Sequence, residues 1–543
     1  MRNDEFGMKN DESAGPTHLQ RRFSFIIHHS SFIIAFLLGA VTVAGYAPFY
    51  FYPLPVVTLA GLFYLWSQAA TPRAAAVAGF AFGLGFFLFG VSWVYVSLHD
   101  FGAMPAPLAA TATFLFCAFL ALLPAAAGYA TARPRVSHAA RYGLLAPAAW
   151  TLAEWTRGWI FTGFPWLATG YSQVPDSPLA GYAPVLGIYG ITLATAVTAG
   201  LIVVLERRLT ANDERGTMNA ERKTSFNWRF IIHHSSFIIL AIWLGGHGLK
   251  QVEWTEPAGA PFAASLLQGN VEQDQKWRAD RLRSTLTLYE TLANSVNSPL
   301  IILPETALPL FLEQVPRDYL EALAAQARGN GGDVLIGVPE RLPGGEYYNS
   351  AVTFGTAPSQ SYRKSHLVPF GEFIPLRPVL GWIVSTLAIP LQDFSRGPAD
   401  QRPLAIAGQR VAVNICYEDA FGEEIIRQLP EATVLVNISN VAWFGQSIAP
   451  QQHLQIAQAR AMETGRTMLR ATNTGVTAVV DPRGAVVAAA PGFTIATVTH
   501  VVQGYSGATP YVRWGNYLAL AFCLAMIAAA ALSTRRAARS AAS

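Results

Sequence analysis

The chain has 543 residues, 52% hydrophobic and 13% charged, with a formal charge of +4. That length exceeds one ordinary domain, and the charged fraction is roughly half that of a soluble protein. The net charge is too small to imply a nucleic-acid partner, and the three cysteines have no metal-ligand or disulfide-framework spacing.

The charge deficit is local. No Asp, Glu, Lys or Arg occurs in 23–72, 74–99, 101–132, 177–205, 230–249 or 514–534, whereas 250–505 carries charges at regular intervals. Residues 1–20 are polar and read as a disordered tail, with Met8 as an alternative start. Apolar spans follow at about 30–50, 54–70, 74–98 and 107–131, a weaker one at about 142–156 containing Glu154, and others near 185–205 and 230–248. With the stretch at 514–534 they make about eight spans, most near the ~20 residues that cross a bilayer.

Basic residues cluster at Arg21 and Arg22, at Arg73, at Arg133, Arg135 and Arg141, between Arg207 and Arg229, and at Arg535 to Arg539. Eight spans put all these clusters on one side, which the positive-inside rule makes cytoplasmic, together with both termini. They leave Arg157 as the one Arg or Lys in the intervening turns expected at 47–53, 99–106 and 157–184. The expected division is a tail at 1–20, seven spans in 21–249, an extramembrane domain at 250–505 on the far side, and a last span with a basic tail at 506–543. Phe25–Ile34 recurs word for word at Phe230–Ile239. Two copies do not make a repeat architecture, and no acidic or Cys partner accompanies the His pairs. A duplication within two tolerant membrane segments explains it.

In 250–505, strand-like and helix-like segments alternate, as in an α/β layered domain. Buried strands are expected at 263–268, 300–303, 333–337, 411–415 and 433–437, with further strands at 350–354 and 475–481. Amphipathic helices are expected at 279–296, 316–327 and 450–463. Val411-Ala-Val-Asn-Ile-Cys-Tyr-Glu-Asp419 runs from one such strand into a cysteine closely followed by two acids. A lone cysteine is by default a buried core thiol, as Cys117 and Cys523 read among Phe, Leu and Ala. Cys416 instead stands at a strand's carboxyl end, where open α/β sheets carry their chemistry.

Three further strings stand out: Leu303-Pro-Glu-Thr306, Tyr362-Arg-Lys-Ser-His-Leu-Val-Pro-Phe-Gly-Glu372 and Asn437-Ile-Ser-Asn-Val-Ala-Trp-Phe-Gly445. Singly, Glu305 and Lys364 are the kind of charge usually found solvated. Together with Cys416 they suffice for acyl transfer. A carboxylate accepts the thiol proton and passes it to the leaving group. An ammonium stabilises the tetrahedral oxyanion.

The order Glu305, Lys364, Cys416, each in its own motif, resembles the nitrilase superfamily. That resemblance implies an α-β-β-α sandwich and a Glu-Lys-Cys triad acting on amides and acyl groups. From about residue 35 to 534 the chain resembles the apolipoprotein N-acyltransferase family of the bacterial inner membrane. The strings that carry this are Trp93-Val-Tyr-Val-Ser97, Gly163-Phe-Pro-Trp166-Leu, Lys364 to Glu372, Ile415-Cys-Tyr-Glu418 and Ser439 to Gly445. The decamers and the polar start depart from the family pattern without touching a motif.

The resemblance implies Glu305 as general base, Lys364 as oxyanion stabiliser and Cys416 as nucleophile. Glu372 would orient Lys364 or assist proton transfer, and Tyr417 and Glu418 would shape the site and position the thiol. Trp277 matches a family tryptophan on the substrate path, and Asn349 and Trp166 match family positions. The fold class expected is therefore a polytopic α-helical membrane domain of about eight spans plus a nitrilase-like sandwich. No metal or cofactor is expected. Expected partners are a phospholipid acyl donor, an apolipoprotein acceptor and the bilayer, with the catalytic domain periplasmic. The apolar segment 379–390 is a candidate lid or lipid-facing arm. The alternatives are a membrane-anchored amidase or nitrilase-type hydrolase, against which eight spans argue, and a non-enzymatic scaffold, against which the intact triad argues.

Overall fold

The computed structural model describes residues 18–216, 227–374 and 393–542. Most of the expected polar tail and the whole segment 379–390 lie outside the described residues, although His18 to Gln20 already belong to the first helix.

Among the described residues seven long helices come first: α1 (His18–Thr42), α2 (Pro53–Gln68), α3 (Pro72–Gly90), α4 (Ala106–Ala132), α5 (Ala146–Arg157), α6 (Ala183–Gly216) and α7 (Asn227–Leu249). Start signals are local: α3 has Pro72 in its first turn, and the Thr71 side chain accepts a 3.1 Å bond from the Ala74 N–H. Helices approach closely where a side chain is missing. A Cβ on Gly39 of α1 would sit 1.9 Å from the Phe82 carbonyl oxygen of α3. Both copies of the repeated decamer are helical, in α1 and α7.

Among the described residues, three helical stretches are long and apolar enough to cross a membrane: Pro72–Gly90, Ala106–Ala132 and Pro178–Arg207. Shorter apolar helices cover Ser30–Gly45, His234–Leu249 and Tyr517–Ser533. The weak span expected at 142–156 is only partly an α-helix. It enters α5 through a π-helical turn, Arg141–Leu145. Its Glu154 is buried and satisfied, accepting from the Thr169 N–H (3.0 and 2.9 Å), the Thr169 hydroxyl (2.6 Å) and the Thr192 hydroxyl (2.9 Å). The connection after α5, expected as a turn between spans, folds inward instead, and residues 165–174 are all buried. Helix α6 breaks at Gly187 (φ 66°, ψ −170°), where a Cβ would lie 2.3 Å from the Tyr511 ring.

Two six-stranded sheets follow among the described residues. The first has the order β12-β1-β2-β3-β4-β5 and the second β11-β10-β9-β8-β7-β6. The strands are β1 (Glu256–Gln268), β2 (Leu300–Ile302), β3 (Asp333–Arg341), β4 (Tyr347–Gly355), β5 (Ser361–Arg363), β6 (Leu404–Ile406), β7 (Gln409–Ile415), β8 (Val434–Ser439), β9 (Met468–Thr472), β10 (Ala478–Val480), β11 (Val486–Ala489) and β12 (Ala496–Ser506). The central pairs β1–β2, β2–β3, β7–β8 and β8–β9 are parallel, and the flanking pairs antiparallel.

Alternation along each strand builds the layers. Leu266, Leu300, Ile302 and Leu335 face Val411, Val413, Ile415, Val436 and Leu469 between the sheets. Their alternates Leu267, Ile301, Val334 and Ile336 pack under α8 (Ala279–Asn294) and α9 (Arg317–Gly329). Ala412, Leu435 and Met468 pack under α10 (Ala449–Thr464). The domain is an α-β-β-α sandwich, and after it α11 (Tyr517–Ala542) returns to the helical part to pack on α5 and α6. The helical part and the sandwich share a core: Phe82, Trp150, Trp166 and Ile188 belong to one apolar cluster with Tyr417, Ala420, Ile456 and Met462.

Candidate active site

Each candidate catalytic side chain stands just past a strand. Glu305 follows β2 by three residues, Lys364 follows β5 directly, and Cys416 follows β7 directly. β2 and β7 lie in opposite sheets, so two carboxyl ends converge on one site.

Lys364 is 1% exposed and lies between two carboxylates, 2.9 Å from Glu372 Oε1 and 3.5 Å from Glu305 Oε1. Burial disfavours its charged form. Glu372 and then Glu305 outweigh burial and push its pKa above the usual lysine value, so the side chain is held as an ammonium. Asn349 on β4 ties the carboxylates together, its Nδ2 donating to Glu305 Oε1 (2.7 Å) and to Glu372 Oε1 (2.9 Å). Glu372 Oε2 accepts from the Val368 N–H at 2.8 Å, and Glu305 Oε2 from the Asn440 N–H at 2.7 Å.

Cys416 is half-buried and adopts φ 54°, a left-handed conformation unusual outside glycine. Burial first, then the Glu305 carboxylate, push its thiol up to about 12, against the opposing pull of Lys364. At rest Cys416 is therefore a thiol that would need a base in order to attack, and Glu305 is the strongest charge acting on it.

The neighbouring residues brace this arrangement. Glu418 is buried and accepts five bonds. Oε1 takes Ser365 N–H (2.7 Å), Ser365 Oγ (3.0 Å) and His366 N–H (3.0 Å), while Oε2 takes Ile415 N–H (2.7 Å) and Tyr362 OH (3.0 Å). It joins the Lys364 segment to the residue before Cys416. The Tyr417 hydroxyl donates to the Gly163 carbonyl of the helical part at 3.0 Å. Its ring stacks on Trp166, with 6.4 Å between centroids and planes 20° apart. Trp166 is 2% exposed and wholly interior. Arg157 holds the connection carrying it, its guanidinium donating to the Phe164 and Trp166 carbonyls.

Trp277 is half-buried. Its neighbour Lys276, which sequence reasoning missed, is 3% exposed and donates to the Glu305 carbonyl at 3.2 Å. Burial lowers its pKa to about 8, opposed by Glu305 and then Cys416. Also missed were Asn440, whose contribution is a backbone N–H, and a buried group behind Cys416 formed by Asp419, His453 and Arg470.

A sandwich in which glutamate, lysine and cysteine meet at converging strand ends is the architecture of a carbon–nitrogen hydrolase domain, and residues 263–511 match the family described as carbon-nitrogen hydrolase. Residues 38–201 match the family described as the apolipoprotein N-acyltransferase N-terminal domain. An apolipoprotein N-acyltransferase of Nitrosomonas europaea is 52% identical over 503 residues, 92% of this chain and 97% of that protein. Those of Methylococcus capsulatus (44% identical; 91% of this chain, 94% of that protein) and Chromobacterium violaceum (42%; 92% and 93%) align over similar lengths. The chain belongs to the apolipoprotein N-acyltransferase family and is an acyltransferase, and its long apolar helices fit a membrane protein.

Proposed function

We propose that the chain moves a fatty acyl group from a phospholipid to the α-amino group of the diacylglyceryl-cysteine that begins an apolipoprotein, through a thioester on Cys416. The observation that carries this is the meeting of Glu305, Lys364 and Cys416 in a sandwich whose core continues into apolar helices. In the first half-reaction the Cys416 sulfur attacks the ester carbonyl as its proton passes to Glu305. Lys364 stabilises the oxyanion. Collapse forms the thioester and expels the lysophospholipid alkoxide, which takes the proton back from Glu305. In the second, the neutral acceptor amine attacks the thioester, Glu305 accepts the amine proton, and that proton returns to the departing thiolate. Glu372 and Asn349 orient Lys364 and Glu305, Glu418 and Tyr417 brace the nucleophile, Trp166 supports Tyr417 from the helical part, and Trp277 lines the approach of the lipid substrates. A hydrolase differs only in its acceptor. A site reached from the bilayer suits two lipid-anchored substrates better than a soluble amide.

Lys364→Met should lower acylation by roughly 10²–10³-fold, the loss expected for one oxyanion donor. Lys364→Arg should not restore it, because a planar guanidinium does not fit a buried slot shaped for an ammonium. Single-turnover acylation of purified enzyme checks this, and a near-normal rate for Lys364→Met removes the residue from the mechanism.

The membrane arrangement belongs to the same proposal: about eight spans in the bacterial inner membrane, seven of them in 21–249 and one in 506–543, both termini cytoplasmic, and 250–505 in the periplasm. The one-sided arginines and the apolar helices support it. Reporter fusions at Asn212 and Gly344 should give opposite signals, and like signals overturn the topology.

A further inference from the structure

We propose that His453 is a positioning residue for Cys416, holding the nucleophile's backbone in its left-handed conformation, and that the helical part holds His453 through Trp166 and Gln452. This rests on Cys416 as the nucleophile. A non-glycine residue at φ 54° stays there only where its surroundings over-determine it. At Cys416 the determining contacts fall on its carbonyl oxygen, which lies 3.2 Å from His453 Nε2 and accepts from Asn437 Nδ2 at 3.1 Å.

The two donors are ends of one closed buried circuit. His453 Nε2 also faces Asp419 Oδ1 at 2.7 Å. Arg470 Nη1 donates to Asp419 Oδ2 at 2.9 Å and to Asn437 Oδ1 at 2.6 Å. The circuit therefore runs from the Cys416 carbonyl through His453, Asp419, Arg470 and Asn437 and back to the same oxygen. The side chains of His453, Asp419 and Arg470 are 1%, 0% and 0% exposed, so water does not substitute for any link. Nε2 faces two acceptors while Nδ1 has no hydrogen-bond partner among the described residues, which fixes the proton on Nε2.

The circuit is anchored outside the sandwich. The Trp166 ring packs on the His453 ring at 5.1 Å between centroids. The adjacent Gln452 is clamped by the helical part. Its Oε1 accepts from Trp166 Nε1 (2.8 Å) and Trp93 Nε1 (3.1 Å), and its Nε2 donates to the Gly90 carbonyl (3.1 Å). The helical part thereby sets the direction of the thiol, and Trp166 acts through His453.

The test compares His453→Ala, His453→Gln and Trp166→Phe in the full-length enzyme, reading acyl-enzyme formation against phospholipid concentration. Displacing the thiol by about an ångström costs roughly 10²-fold. His453→Ala should therefore lower the maximal acylation rate by that factor with KM within about twofold of wild type. His453→Gln, which keeps an N–H in reach of the carbonyl, should recover most of the loss. Trp166→Phe keeps a ring but loses the bond to Gln452, and should slow acylation by about fivefold, the worth of one buried hydrogen bond. Wild-type acylation in His453→Ala, or a His453→Gln protein no better than His453→Ala, overturns the positioning role. A wild-type rate in Trp166→Phe overturns the coupling, and this variant with His453→Gln carries the test where His453→Ala does not fold. If Cys416 is not the nucleophile, the wild type itself gains no acyl group, an outcome distinct from all of these.

Discussion

Cys416→Ser protein transfers acyl groups at least about 10⁴-fold more slowly than wild type, the order of loss seen when a covalent nucleophile is removed. The argument is one of acidity and environment. Burial and the Glu305 carboxylate already push the thiol up to about 12. A serine hydroxyl in the same pocket is a far weaker acid, and a carboxylate cannot deprotonate it without a stronger base in relay. The substitution is nearly isosteric and leaves the carbonyl bonds to His453 and Asn437 in place. Its melting temperature should therefore stay within a few degrees of wild type. Transfer to a diacylglyceryl-cysteine peptide is the assay. A serine enzyme with more than about a hundredth of wild-type rate would contradict a mechanism that depends on sulfur.

Glu305→Gln should move two observables in opposite directions. Glutamine is nearly isosteric and its oxygen can still accept from Asn349. Its amide nitrogen then faces the Asn440 N–H without accepting from it, so the site keeps its shape at the loss of one bond. It cannot take a proton, and acylation should fall by roughly 10²–10⁴-fold, the usual contribution of a general base. The same change removes the strongest charge holding the Cys416 thiol protonated, while the pull of Lys364 remains. The sign then follows. Loss of a nearby negative charge lowers the thiol pKa, so at pH 9 a larger fraction is thiolate and iodoacetamide should alkylate Cys416 faster than in wild type. A parallel fall in acylation and alkylation would mean that the site had collapsed, and Glu305 would lose its assignment as base.

The elements that could be read from sequence are those whose signal is local. Glu305, Lys364 and Cys416 each follow a strand-like run, and 300–303 and 411–415 are strands where expected, within a residue or two. Glu372 and Lys364 stand eight residues apart in one segment, close enough to suggest the pair that meets at 2.9 Å. The extra strands fail for identifiable reasons. β9 carries Arg470 at its centre, which reads as a surface charge and is in fact buried against Asp419 and Asn437. β5 and β6 are three residues each, too short for a period to show.

Helix α10 teaches more. Its Gln452, His453, Gln455, Gln458, Arg460 and Glu463 look like the wet face of an amphipathic helix, yet all six are buried. The polar face meets the helical part rather than water: Gln455 donates to the Val174 carbonyl and accepts from the Ala47 N–H, and Glu463 accepts from the Ile188 N–H. Sequence periodicity reports how polar a face is and not what covers it. Asn440 was hidden for a different reason, since its contribution to Glu305 is a backbone N–H that nearly every residue possesses. The inward fold of 157–184 was missed because a chain with few charges between two spans reads as a turn. Its burial depends on Glu154 and Arg157, which bind it from a helix.

The thioester on Cys416 is the claim on which the rest depends, and intact-mass and peptide mass spectrometry reach it directly. Purified enzyme is incubated with a phospholipid of defined acyl chain and no acceptor. The predicted result is a gain of one acyl mass, confined to the peptide containing Cys416, lost on hydroxylamine treatment and on adding a diacylglyceryl-cysteine peptide, which becomes acylated in its place. An unmodified Cys416 in protein that still acylates that peptide would contradict the account, because the acyl group would then have passed from phospholipid to amine without ever resting on the enzyme.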